Sequence, residues 1–245
     1  MIPARVTLHV WGVPPRHVPS AVLAMARERR PLRRQHGLTF GKLLGTGTGD
    51  TFGLRDADVR HWATLTCWSS VSSAEEFEQS SLVQRFDARA EERLKVDLQP
   101  LASKGFWSKQ QPFGDPREGE PEGYAGPVAS LTRARIRTSE LRTFARSVPP
   151  VVADLDEAEG LQLRLGIGEA PVGLQGTFSV WRSAADVTAF AYRAAAHVEV
   201  IRKTQQRGWY AEELFARFAV LSTEGTYCGF PATVAGHGPP RGLRR

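Results

Sequence analysis

Cysteine is nearly absent from this chain: Cys67 and Cys228 are the only two. That excludes a disulfide framework and a thiolate zinc site, and two reduced thiols are expected instead. No apolar run approaches the ~20 residues that a membrane span requires. The stretch from Val6 to Val13 is short, contains His9, and ends at Pro14-Pro15-Arg16 without a cleavage pattern, so no signal peptide is expected. These absences predict a cytoplasmic protein with at most peripheral membrane contact. No Gly-rich turn joins a strand pattern to a helix pattern, which argues against a dinucleotide-binding βαβ fold. His9, His17, His36, His61 and His237 show no metal-ligand spacing, and no paired-carboxylate, Ser-His-Asp or Cys-His arrangement can be defended from their order.

What is present is an ordinary globular composition. The 245 residues are 41% hydrophobic and 24% charged, enough to bury a full core as one large domain or two small ones. The net charge of +6 gathers at Arg27-Glu28-Arg29-Arg30, at Arg33-Arg34 and in the tail at Arg241 and Arg244-Arg245. None of these clusters interleaves with exposed aromatics or falls in a nucleic-acid recognition motif. A solvated helix face, or a docking patch for an acidic partner, explains them without nucleic acid.

The chain reads as two copies of one unit, 1–110 and 128–230, around a Pro-, Gly- and acid-rich linker at 111–127, with a basic tail at 231–245. In the first copy, strands are expected at Arg5 to Trp11, Leu38 to Leu44, Trp62 to Trp68 and Leu101 to Trp107. Helices are expected at Ser20 to Arg34 and, as one long element, at Ser73 to Lys95. In the second copy, the strands are Val128 to Arg137, Leu161 to Ile167, Gly176 to Trp181 and Phe215 to Ser222. Its helices are Ser139 to Glu159, bent near Pro149-Pro150, and Ala185 to Gln206. Trp68 and Trp181 are 181 − 68 = 113 apart, and the same offset pairs Thr64 with Thr177, Thr66 with Ser179, Ser70 with Ser183 and Phe77 with Phe190. Gly45 and Gly168 are 123 apart, which fits a longer loop after Gly45. The expected fold class is therefore α+β: two tandem ferredoxin-like βαββαβ repeats, burying their open sheet faces against each other as a single-chain α+β barrel of the kind otherwise made by dimers.

Residues present in only one copy are the better functional candidates. At the offset of 113, His197 stands where the first copy has Gln84, and Arg182 where it has Ser69. On the Ala185 to Gln206 helix, Phe190, Ala194, His197 and Ile201 share one stripe, and Ala194-Ala195-Ala196 leave room beside the imidazole. A core histidine bonded to its neighbours and a histidine that ligates haem iron both satisfy this pattern, and it leaves the two open.

Several segments in order resemble one family. They are Gly166-Ile-Gly-Glu-Ala-Pro171, Gln175 to Ser183, Phe190-Ala-Tyr-Arg193 with His197, and Trp209 to Phe218 followed by Glu224-Gly-Thr. The first copy adds Lys42-Leu-Leu-Gly-Thr-Gly-Thr-Gly49, Trp62 and Trp68. Together they resemble the spheroidene monooxygenase family, over roughly Val6 to Gly229. That family is known as haem-containing enzymes that insert oxygen from O2 into a C–H bond of an acyclic carotenoid. The resemblance implies haem b as cofactor, with His197 as the iron ligand. It implies an apolar, carotenoid-like or secondary-metabolite substrate, O2, and electrons from a ferredoxin or reductase, and it leaves oligomerisation open. Arg182 could meet a haem propionate or sit in a surface ion pair. Gly168 and Glu169 could lie against the cofactor or form a turn. Arg217, if inward, could act beside the iron, or else pair with Glu212 or Glu213. Trp209, Tyr210 and Tyr192 could wall the substrate pocket or pack as ordinary core. A haem dehydratase or peroxidase on the same barrel, a non-catalytic haem- or hydrophobic-ligand-binding barrel, and a cofactor-free barrel monooxygenase remain the alternatives.

Overall fold

Period-two alternation of apolar residues generates eight long strands, and their pairing closes into a ring. The computed structural model describes residues 1–50, 56–114, 124–169, 174–193 and 208–231. Its elements run β1 (Arg5–Gly12), α1 (Val18–Arg27), α2 (Arg29–Arg33), β2 (Leu38–Gly47), β3 (Ala57–Trp68), α3 (Val71–Glu78), α4 (Ser81–Asp87) and β4 (Glu92–Gly105). The second set is β5 (Val128–Ile136), α5 (Leu141–Asp156), β6 (Leu161–Gly168), β7 (Leu174–Trp181), α6 (Ala184–Arg193) and β8 (Tyr210–Tyr227), with a short β9 (Phe230–Pro231). The strand order β4-β1-β3-β2-β6-β7-β5-β8 is closed by pairing of β4 with β8. Each half thus contributes the same four-strand order, and the halves meet at β2–β6 and β4–β8. This is the α+β barrel of two ferredoxin-like repeats that the sequence predicts.

The internal repeat holds at the level of single bonds. The indole N–H of Trp68 donates to Thr66 Oγ1 at 3.0 Å, and that of Trp181 donates to Ser179 Oγ at 2.8 Å. The same register shift interrupts β2–β3 between Leu38 and Phe40 and β6–β7 between Leu161 and Leu163. Gly45 and Gly168, 123 residues apart, are direct cross-strand partners at the seam between the halves.

One expectation fails. The long helix from Ser73 to Lys95 is two short helices, with the Ser80 hydroxyl accepting from Val83 N at the start of the second. Its last turn is instead the beginning of β4, which runs 14 residues rather than starting at Leu101. The alternation Leu94, Val96, Leu98 is a strand signal, and all three side chains enter the barrel core. Pro100 is accommodated because the β4–β8 register shifts beside it. α5 runs through Pro149 and Pro150. α6 is described only to Arg193, so the rest of the expected Ala185 to Gln206 helix lies outside the described residues. No helix among the described residues is long and apolar enough to cross a membrane.

The inside of the ring is filled. All eight strands feed one cluster that includes Leu8, Leu44, Leu65, Val96, Leu131, Leu165, Phe178 and Phe218, closed by Trp107 and Phe113. What remains is the outer face of each half-sheet. In the first half, Trp11, Leu43 and Trp68 pack under Ala24, Leu32, Phe77, Leu82, Val83 and Phe86 of α1–α4. His9 stacks on Trp11 with ring centroids 5.1 Å apart and bonds Glu78 at 2.7 Å, and Trp11 stacks on Phe86 at 4.7 Å. In the second half, among the described residues, Ile136, Phe144 and Trp209 form a smaller cluster, and Trp181 is buried beside Phe190. No side chain described on α6 is fully buried.

This contrast predicts unequal truncation costs. Phe77→Ala, at a site only 2% exposed, should cost about 3–5 kcal/mol. Phe190→Ala, its half-buried counterpart, should cost less than half as much in the ligand-free protein. Urea denaturation of the two variants measures both values, and equal losses would contradict the described packing.

Candidate functional site

Register identifies which residues distinguish the two outer faces. Trp68 lies opposite Arg5, and Trp181 opposite Val128, so β1 and β5 correspond at an offset of 128 − 5 = 123. His9 and Trp11, which fill the first face, are thereby matched by Thr132 and Ala134 in the second. Across the same register, Asp97 opposite Thr7 is matched by Arg217 opposite Ser130. The second face therefore offers Ser130, Thr132, Ala134 and Thr177 as a floor of small and hydroxyl side chains, with Phe215 and Arg217 beside it on β8. Phe190 of α6 stands over it, 5.4 Å from the ring of Trp181. The buried indole N–H of Trp209 finds no hydrogen-bond acceptor among the described residues. A flat, mainly apolar group with a few polar edges suits such a surface.

The expected site residues distribute as follows. His197 lies in the segment 194–207, outside the described residues. Tyr192 belongs to α6, but its side chain is likewise outside them. Trp209 is fully buried edge-on against Phe144, 5.9 Å between ring centroids, and Tyr210 meets the same phenyl ring at 6.0 Å. Both flank the second outer face. Arg217 does not point into the barrel: on β8 the inward residues are Leu214, Ala216, Phe218 and Val220, so Arg217 takes the helix-covered side. Glu212, of the opposite parity on β8, pairs with Arg133. Arg182 is exposed and bonds both carboxylate oxygens of Asp186, at 3.2 and 2.8 Å. Its surface-pair reading is the one the geometry favours.

Gly168 and Glu169 serve the barrel itself. Gly168 faces Gly45 across the seam, and a Cβ on Gly166 would stand 3.0 Å from both Gly47 O and Gly49 N. Gly166 thus lets the two halves approach closely, whereas a Cβ on Gly45 would meet Gly168 O at an ordinary 3.8 Å. Glu169 continues the inward parity of Leu165 and Ile167 to the barrel mouth. There it accepts from Lys42 Nζ at 2.6 Å, Trp107 Nε1 at 2.7 Å and Arg133 at 2.8 Å. Arg133 is 3% exposed and also pairs with Glu212, which accepts the backbone N–H groups of Ser108 (3.0 Å) and Lys109 (2.8 Å). Sequence reasoning overlooked Arg133, Lys42 and Trp107 as a unit. The signal was parity: Arg133 follows Ala129 and Leu131 on the core face of β5, where a lone cation must find carboxylates.

Burial pushes the Glu169 carboxyl upward, but the Lys42 ammonium, with Trp107 and Arg133, outweighs it and holds the group below its usual range. Glu212 is also held low: burial raises it, and the Lys109 and Ser108 N–H groups and Arg133 outweigh that effect.

Comparison with known proteins places the barrel in a class first. No protein-family model matches the chain. An aldoxime dehydratase crystallised with butyraldoxime shares the fold, with a TM-score of 0.59 at 12% identity, covering 88% of this chain and 79% of that one. A second aldoxime dehydratase structure gives 0.56 at 11% identity over 88% and 80%. The fold is thus that of single-chain α+β barrels built from two ferredoxin-like repeats. Within it, spheroidene monooxygenase of Rhodobacter capsulatus is 36% identical over 213 residues, 86% of this chain and 88% of its relative. That of Rubrivivax gelatinosus is 38% identical over 200 residues, 81% and 75% of the two chains. The chain belongs to the spheroidene monooxygenase family.

The barrel-mouth cluster generates two expectations. Arg133→Met leaves Glu169 with Lys42 and Trp107 and Glu212 with the Ser108 and Lys109 N–H groups, and should cost about 3 kcal/mol in urea denaturation, the low end for a broken buried pair. Because both carboxylates titrate below their unfolded values, the stability they supply is complete above about pH 4.3 and is lost as pH falls from there through their folded values. Glu169→Gln should flatten that acid limb of the stability–pH profile, and a limb unchanged by the substitution would contradict the assignment.

Proposed function

We propose that this chain is a haem-dependent monooxygenase that hydroxylates or ketolates a C–H bond of a largely apolar, carotenoid-like substrate, with O2 and electrons from an external donor. Membership of the spheroidene monooxygenase family supports the oxygenase and the apolar substrate. The observation that carries the site is the contrast between the outer faces. The face with Trp11 and His9 is packed shut, whereas its counterpart carries the smaller Ala134 and Thr132 at the matching positions, and the described side chains of α6 above it are half-buried or exposed.

In this reading His197 holds the iron, from the segment that follows α6. When bound, the haem supplies the activation of O2 that no protein side chain provides. The chain's part is to bind, orient and exclude water. Phe190, Trp209 and Tyr210 supply apolar surface for the substrate and keep the site dry. Thr132 and Thr177 offer hydroxyls that fix the orientation of polar edges, and Arg217 places a cation on the same face of the sheet.

The test is spectroscopic first. Protein expressed with a haem supply should show a Soret band that His197→Ala displaces or removes. Ala134→Trp, and more mildly Thr132→His, restore the first copy's filling and should reduce haem uptake while circular dichroism stays native. A wild-type protein with no Soret band overturns the haem, and a band indifferent to His197→Ala removes the ligand assignment. Turnover of an acyclic carotenoid should consume O2 and require reductant; turnover of an aldoxime without O2 consumption would assign a dehydratase instead.

A further inference from the structure

α1 is apolar on both of its faces. Ala21 and Ala24 are buried, with Met25 half-buried beside them against the first helix-layer core. Pro19, Val22, Leu23 and Ala26 form a second stripe at spacings of 3, 1 and 3, on the opposite side of the helix, and all four are exposed. Val22 and Leu23 keep 49% and 52% of their surface in water. A helix on a water-soluble surface ordinarily carries its charges there.

Arginines surround this stripe. From Pro15 to Arg34 the chain has six, Arg16, Arg27, Arg29, Arg30, Arg33 and Arg34, and every one is exposed. The segment contains a single acid, Glu28, which is already held by Arg85 through bonds of 2.9 and 2.6 Å. Beside the stripe, a cleft of about 210 Å³ between α1 and α4 is lined by Leu23, Arg27, Arg85 and Arg89, so cations also converge where apolar surface ends.

We propose that the α1–α2 face docks on an anionic lipid bilayer, with Val22 and Leu23 entering the interface and the arginines meeting headgroup phosphates. Helices that lie in the interface plane combine apolar side chains on one side with Lys or Arg at the flanks. Each cation near an anionic surface strengthens the attachment about fivefold. An acidic soluble protein would use the arginines but gives no reason for the exposed stripe between them. Attachment of this kind would bring the protein to the phase in which a carotenoid-like substrate dissolves, and to that extent it extends the functional reading above. Vesicle binding is measured without turnover, so its failure would leave that reading standing.

The experiment is co-sedimentation of the full chain with phosphatidylcholine vesicles, with and without added phosphatidylglycerol. Binding is expected only to the anionic vesicles, weakening as salt rises. Val22→Asp with Leu23→Asp should lower it roughly tenfold or more. Arg30→Ala and Arg33→Ala should lower it about fivefold each. The paired control Lys104→Ala with Lys109→Ala should leave it unchanged, and circular dichroism should stay native in all variants. Any of three results overturns the proposal. The wild type stays in the supernatant with anionic vesicles; the Val22 and Leu23 variant pellets like wild type, which would mean charge alone, as in docking to an acidic protein; or the wild type self-associates without vesicles and Leu23→Asp abolishes that association.

Discussion

The structure depends on how closely two backbones approach at the β2–β6 seam. Among the described residues three pairs join the halves there, Gly45–Gly168, Thr46–Ile167 and Gly47–Gly166. At Gly166 the approach is close enough that a Cβ would press on Gly47 O and Gly49 N at 3.0 Å. Once the seam forms, together with the longer β4–β8 pairing, the sheet has no free edge through the main barrel and its interior closes. Closure decides where chemistry can occur. The interior is filled by the side chains of eight strands, which leaves the outer faces beneath the helices as the surfaces where the two halves differ.

The barrel mouth shows the cost of ending such a core. Inward parity carries Lys42, Arg133, Glu169 and Glu212 to the rim, where charged groups would be stranded if they stood singly. They are matched, two cations to two carboxylates, and Trp107 lies beneath them as the apolar side of the plug. The Arg133 guanidinium stands 5.6 Å from the centre of its ring. This arrangement rigidifies the end of the barrel and gives Glu169 a structural task there.

Much of the fold was legible because duplication is readable without any second protein. Offsets of 113 and 123 recur in the structure as matching tryptophan hydrogen bonds, a matching register shift and a glycine pair. The failure at Ser73 to Lys95 came from helix-forming residues continuing past Ser80, which masked the alternation that begins β4. For Arg217 the sequence left an inward role and a pairing with Glu212 or Glu213 side by side, because both faces of this strand are covered in part and parity alone does not say which is the barrel. His197 could be singled out as unmatched by the first copy, but no pattern in a helix distinguishes a ligand from a core imidazole. The exposed stripe of α1 escaped notice because Ala, Val and Leu at helical spacing ordinarily mark a core, and only burial shows that this helix has two such stripes.

The seam glycines also bear on symmetry. Two identical chains closing the same ring would carry every substitution twice: a tryptophan that plugs one face would plug the other, and an alanine that opens one would open both. Joined in a single chain, the faces acquire separate sequences. Trp11 and His9 consolidate one side of the barrel, and that side can hold the ring folded while the other carries the smaller Thr132 and Ala134 at the matching positions. Division of labour between a stabilising half and a permissive half is thus available to the fused barrel and denied to its symmetric counterpart.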